Sequence, residues 1–361
     1  MHTTSPLSSD FRRGFTLIEL SVGSILLVLS GVAAGPMLGG SRGFARDNTC
    51  KMNLKMQGQG YAAYSFTYGG QIASYSWRSD VVYDSQWGVL RGPFSNDIRA
   101  MMAQNTDLLR RHTGRGEGDD RIWNNWLTMP NRRFNHLPLL DYLGTNSPQD
   151  FMACPQDANL LTSKADPLDS TLWATTGPYN NQSQFSAPQV MLRYPFSSTY
   201  ATVPYAWARD GQFSGTPYVQ PISFTSHLFG ALSVRNAIGN RKYQEVVFPS
   251  LKVHVFEHND FHRNAGDPFY AYDQAECNQL FFDGSVDDQR SSTAEAGWDP
   301  SIPDDPDTFY YRYTPLSTEP IPLGDPETLL PVRYRFTRGG LTGFDYLTRP
   351  GVSKAPDPIR R

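Results

Sequence analysis

From Phe15 to Ser41 the chain carries a single charged side chain, Glu19, in a run that is otherwise uncharged and mostly apolar. A transmembrane helix needs about 20 predominantly apolar residues, and residues 15–35 supply that length. A carboxylate in a bilayer core costs roughly 2.5–3.5 kcal/mol on insertion scales. Glu19 therefore needs a partner, and the simplest partner is an amine. Pro36 follows Gly35 and precedes Gly39-Gly40. Proline removes a helical hydrogen bond and clashes with the preceding turn, so a kink or the end of the apolar helix is expected there. From Phe44 the pattern becomes amphipathic: Cys50, Leu54, Tyr61, Tyr64 and Tyr68 share one face, with Arg46, Asp47, Lys51 and Lys55 elsewhere. This predicts a helix over residues 42–68, ending before Gly69-Gly70. Gly58 and Gly60 weaken it by about 1 kcal/mol each relative to alanine, and they leave room for a sheet to approach closely.

Beyond the helix the pattern reads as short strands and long loops. Gln244–Phe248, Leu251–Phe256, Gln279–Phe282 and Arg333–Phe336 are β-like, and Asp283-Gly284 fits a tight hairpin turn. Residues 298–331 hold Pro300, Pro303, Pro306, Pro315, Pro320, Pro322, Pro326 and Pro331, the mark of an extended strap. The expected layout is a leader (1–14), an apolar helix (15–41), its amphipathic continuation (42–68), a β-rich head (69–348) and a frayed tail (349–361). The fold class is α+β: a long helix covers the apolar face of an antiparallel sheet that carries large loop insertions.

The composition agrees with a body of this kind. Without leader and apolar helix about 300 residues remain, one large domain or two small ones. The formal charge of -3 and pI of 6.2 give no electrostatic case for a nucleic-acid partner. Tyr (19), Phe (21), Pro (27) and Gly (30) favour strands and loops over helices. The three cysteines, Cys50, Cys154 and Cys277, lie far apart, so no Cys-x-x-Cys site exists within the chain. In an oxidising compartment one disulfide with one thiol left over is expected, in any of three pairings; three buried thiols are the alternative.

The run Arg12-Arg13-Gly14-Phe15-Thr16-Leu17-Ile18-Glu19, followed by the apolar segment, resembles the processing signal of type IV prepilins and type II secretion pseudopilins. An ordinary secretory signal has its cleavage site after the apolar core, whereas here the cut would precede it. The resemblance implies that a prepilin peptidase cleaves after Gly14 and methylates the new N-terminus at Phe15. It implies that Glu19 neutralises that amine in its own chain or in the previous subunit of a filament, and that a proline at the position of Pro36 kinks the helix. The partners implied are the peptidase, other pilin or pseudopilin subunits, and the cytoplasmic (inner) membrane. Arg12-Arg13 place the leader inside and the head extracytoplasmic.

A second resemblance is carried by Cys50-Lys51-Met52-Asn53-Leu54-Lys55, by Leu137-Pro138-Leu139-Leu140 before Cys154-Pro155-Gln156-Asp157, and by Leu280-Phe281-Phe282-Asp283-Gly284-Ser285-Val286. These segments are similar to those of a large planctomycete-type pilin-like family with a domain of unknown function after the anchor. That family's closing signature has a histidine where this chain has Asp273.

Candidate chemistry is sparse. His254, His258 and His262, with Glu257 and Asp260 among them, would line one face of a helix as zinc ligands. Val253, Val255 and Phe256 instead make the first part a strand, on which His254, His258 and Glu257 are not expected to share one face. Asp283, Asp287 and Asp288 are weak calcium candidates, since some pseudopilins bind calcium in C-terminal loops, but they lack the alternating spacing of a calcium loop. Asp119-Asp120 and Asp304-Asp305-Asp307 read as solvated turns. Gly39-Gly40-Ser41-Arg42-Gly43 matches a nucleophile elbow in letters only, because a membrane helix precedes it. No catalytic residue and no cofactor is expected. The leading expectation is a filament subunit. The alternative is an anchored ectodomain, enzymatic or carbohydrate-binding, built on Trp77, Trp87, Trp123, Trp126, Trp173, Trp207 and Trp298.

Overall fold

The computed structural model describes residues 43–116, 122, 129–143, 150–167, 193–221, 229–231, 237–263, 268–299, 310–312 and 329–351. Contacts divide the chain into two compact units, Met1–Ala45 and Arg46–Arg361; of the first, only the helical residues 43–45 are described. Gly14, Phe15, Glu19 and Pro36 lie outside the described residues, as do most of the proline-rich strap and the last ten residues. Among the described residues no helix is long and apolar enough to cross a membrane.

Helix α1 runs over residues 43–67 and stops at the turn that holds Gly69 and Gly70, both at positive φ. Its predicted inner face is the one that is covered: Cys50, Leu54 and Tyr61 are buried, Tyr64 is half-buried, and Tyr68 at the end is exposed. The cover is a four-stranded antiparallel sheet: β1 Tyr200–Thr202, β2 Val253–Glu257, β3 Glu276–Phe281 and β4 Val286–Arg290, paired in that order. The register sets Tyr200 opposite Glu257, Phe256 opposite Gln279, and Leu280 opposite Val286.

Alternation along the strands divides the core. Tyr200, Val255 and Leu280 pack with Leu54 and Tyr61 on the α1 side. Ala201, Phe256, Cys277 and Phe281 join the larger core on the opposite side, with Trp207, Tyr270, Tyr334 and Phe336. The register of β2 shifts between Val253 and Val255. This irregularity lets His254 reach the α1 side as well, where its ring lies 4.2 Å from that of Tyr61 and 4.2 Å from that of Phe282. The expected close approach of the sheet is present at Gly58, whereas at Gly60 the neighbour is Leu143 of a short helix. A Cβ on Gly58 would stand 3.1 Å from Leu280 Cδ1, and one on Gly60 would stand 2.7 Å from Leu143 Cδ2.

Besides α1 and the four-residue helix Leu140–Leu143, two further α-helices are present among the described residues. In α2, Asp97–Thr113, the Asn96 side chain accepts the Arg99 N–H, and Gly114 closes the helix at φ 72°. In α3, Ala158–Ala165, the Asp157 side chain accepts the Leu160 N–H at 3.1 Å. The Asp283-Gly284 hairpin joins β3 to β4, with Gly284 at φ 82°.

Two expected strands are absent. Tyr243–Glu245 forms a 3-10 turn, because the Glu245 carboxylate accepts the Lys242 N–H at 2.6 Å and Gly70 O accepts the Tyr243 N–H at 2.9 Å. Arg333–Phe336 is also a 3-10 turn, entered through Arg333 at φ 52°. All four of its side chains are buried, which strand alternation beside solvent does not allow. Within the strap, Tyr310–Arg312 pairs with Leu329–Pro331 as a two-stranded ribbon. Arg349, assigned to the frayed tail, is instead buried against the Phe281 ring and donates to Ser250 O.

Candidate metal centre

Four side chains meet where α1, β2 and two loops converge: Cys50, Cys154, Glu257 and His262. One ligand atom from each lies within 4.8 Å of the other three. Cys50 is on the inner face of α1. Cys154 is fixed by the turn that precedes α3: its N–H donates to Thr199 Oγ1 at 3.0 Å, and the Gln156 N–H donates to its Sγ at 3.4 Å. Thr199 in turn donates to Asp157 Oδ2 at 2.9 Å, so the helix cap and the cysteine turn are one unit. Asn53 ties this turn to α1 by donating to Ala153 O at 3.3 Å.

Glu257 ends β2 and is 0% exposed. Its Oε2 accepts the Asn278 N–H at 3.1 Å, which leaves Oε1 facing the cluster. His262 sits in the loop after β2. The Asp260 carboxylate gathers that loop by accepting the N–H groups of His262 (3.2 Å), Arg263 (3.0 Å) and Glu276 (3.0 Å). The His262 side chain is 1% exposed, and its Nε2 lies 3.3 Å from Glu257 Oε1 and 3.3 Å from Cys154 Sγ.

Burial pushes the Cys154 thiol well up, helped by the neighbouring Cys50 and Glu257. Burial disfavours the charged form of His262, but bonds to Cys50 and Glu257 outweigh it and raise its pKa to about 10. An ion network borders the cluster. Arg263 binds Asp47 at 3.1 Å and Asp288 at 2.8 Å, Lys51 binds Asp288 at 2.6 Å, and Asn278 donates to Asp47 at 2.8 Å. Burial opposes the charge on Asp288, yet the bond to Lys51 and the charge of Arg263 hold its carboxyl below the usual range. Two sulfurs, an imidazole nitrogen and a carboxylate oxygen are zinc-type donors, and four protein ligands make a closed, structural site rather than a catalytic one.

The other residues singled out from sequence lie elsewhere. His254 is wedged between Tyr61 and Phe282, and His258 packs against Phe269 and Arg335. Of the three histidines only His262 enters the cluster. The calcium candidates do not converge: Asp283 is taken up by Ser285, Asp287 by Gln289 and Arg349, and Asp288 by Lys51 and Arg263. The three cysteines are free and buried, with Cys277 on the far side of the sheet. Asp273 is exposed and pairs with Arg333. Trp77, Trp87, Trp207 and Trp298 are buried in the core and present no platform to a sugar; Trp123, Trp126 and Trp173 lie outside the described residues. A groove of about 410 Å³ opens between Phe66 of α1 and the hairpin at Asp283-Gly284.

The chain matches no protein-family model, no curated protein and no solved structure.

Proposed function

We propose that this chain is a pilin-like or pseudopilin-like subunit, processed by a prepilin peptidase and assembled through its N-terminal helix into a type IV pilus or type II secretion-like filament. The observation that carries this reading is the run Gly14 to Glu19, set between Arg12-Arg13 and an apolar segment with no other charge. Cleavage after Gly14 frees the Phe15 amine. That amine is the partner that the Glu19 carboxylate requires in an apolar environment.

The head supports the same reading. An extended helix lies on an antiparallel sheet by one face, while the opposite face of α1 leaves Met52 (55% exposed), Met56 (38%) and Phe66 (92%) uncovered. Apolar positions spaced at helical repeats along a helix otherwise committed to the head suit packing against a neighbouring subunit. Contacts of this head-to-tail kind do not close into a ring and so build a filament.

Glu19→Ala tests the proposal. The variant inserts and is cleaved as the parent is, but fails to enter filaments. Normal incorporation of the variant contradicts the role given to Glu19.

A further inference from the structure

We propose that Cys50, Cys154, Glu257 and His262 bind one zinc ion, which clamps helix α1 to the head. The proposal is independent of the filament reading, because all four ligands belong to the second compact unit and the geometry stands without the N-terminal segment.

The distances fit. Around a tetrahedral ion with bonds of 2.0–2.3 Å, neighbouring donor atoms stand about 3.3–3.8 Å apart. Two edges of the cluster, His262 Nε2 to Glu257 Oε1 and His262 Nε2 to Cys154 Sγ, are each 3.3 Å. The donor set also fits, because zinc accepts thiolate, imidazole and carboxylate together, whereas calcium and magnesium take oxygen alone.

The supporting bonds are of the kind that orient ligands. The carboxylate is held through its other oxygen by the Asn278 N–H, and the sulfur of Cys154 receives the Gln156 N–H. A disulfide between Cys50 and Cys154 is the competing use of these residues, and it gives no reason for a fully buried carboxylate and an imidazole to converge on the sulfur pair. The ion's role follows from the parentage of its ligands. One is on α1, one on the turn before α3, one ends β2 and one lies in the loop beyond. A single ion thus ties at one point the segments that the Asn53–Ala153 hydrogen bond and the Arg263–Asp47 ion pair join around it.

The test is metal analysis of the full-length protein, isolated from its own membrane in detergent with thiols protected and without added metal. The expected result is about one zinc per chain. Zinc is lost in Cys154→Ser and in the pair Glu257→Ala/His262→Ala, and it is retained in Cys277→Ser. Cobalt exchanged into the wild-type chain gives thiolate-to-cobalt charge-transfer bands together with tetrahedral d–d bands. That readout holds even if a ligand variant fails to fold. The proposal is overturned by a Cys50–Cys154 disulfide peptide in the unreduced digest of the freshly isolated protein. It is equally overturned by a wild-type chain that holds no zinc and shows no cobalt–thiolate bands, or by zinc that persists undiminished in Glu257→Ala/His262→Ala.

Discussion

His262 and Glu257, five residues apart, meet at 3.3 Å only because Glu257 is the last residue of β2 and the loop that follows folds back on the Asp260 carboxylate. The contact brings a buried acid and a buried base to the two cysteines. If a metal ion fills that point, stability depends on it. A ligand that binds only the folded chain stabilises it by about 4 kcal/mol when free ligand is a thousandfold above Kd. Thermal unfolding of the full chain should show a midpoint that falls on adding a strong chelator and recovers with zinc but not with magnesium. An unchanged midpoint argues against a metal clamp.

Lys252 and Asp345 form a second buried contact of opposite charges. Their side chains are 0% and 1% exposed and 3.1 Å apart, and Asp345 also accepts the Val253 N–H at 2.7 Å. Burial pushes the lysine pKa down and the aspartate pKa up, and each partner counters the shift in the other. Lys252→Met leaves a carboxylate buried without its cation, and breaking such a pair costs about 3–5 kcal/mol. Lys252→Met/Asp345→Asn removes the orphaned charge and keeps an acceptor for Val253, so it should be the more stable of the two variants. Denaturant midpoints of the parent and both variants decide the order.

Acid should destabilise the head through two histidines. Burial lowers the His254 pKa to about 3. Burial, reinforced by the positive charges of Lys164 and His112, lowers that of His136 to about 3. Their unfolded pKa is 6.5. Both therefore stay neutral in the folded chain while the unfolded chain takes up protons, and stability falls as pH drops below 6.5 until about 3. Each contributes a slope of about 1.4 kcal/mol per pH unit across that window. Denaturant unfolding at pH 7.5 and pH 4.5 measures the loss. His254→Leu, which keeps an apolar group between Tyr61 and Phe282, should remove about half of this histidine-dependent loss. An equal pH dependence in parent and variant contradicts the assignment.

Much of the fold was legible because local periodicity encodes it. The spacing of Cys50, Leu54 and Tyr61 gave the inner face of α1, and Asp283-Gly284 gave the hairpin, since a glycine at positive φ stops one strand and starts the next. The segments Gln244–Phe248 and Arg333–Phe336 misled because β-type side chains do not report backbone bonds. The Lys242 N–H donated to the Glu245 carboxylate in one case, and a positive φ at Arg333 in the other, override propensity. The cluster at Cys50 and Cys154 was not legible. Its ligands come from four segments with no motif spacing, and only Glu257 and His262 are neighbours in sequence. Strict alternation would have put His254 and His258 on one face; the register shift between Val253 and Val255 parts them, and His262 lies beyond the end of the strand, where alternation does not reach.

The central claim concerns the N-terminus, and intact-peptide mass spectrometry of the chain purified from its native cells tests it most directly. The account predicts a first peptide that begins at N-methylated Phe15. A chain that still begins at Met1 would contradict prepilin-type processing and, with it, the assignment to a filament.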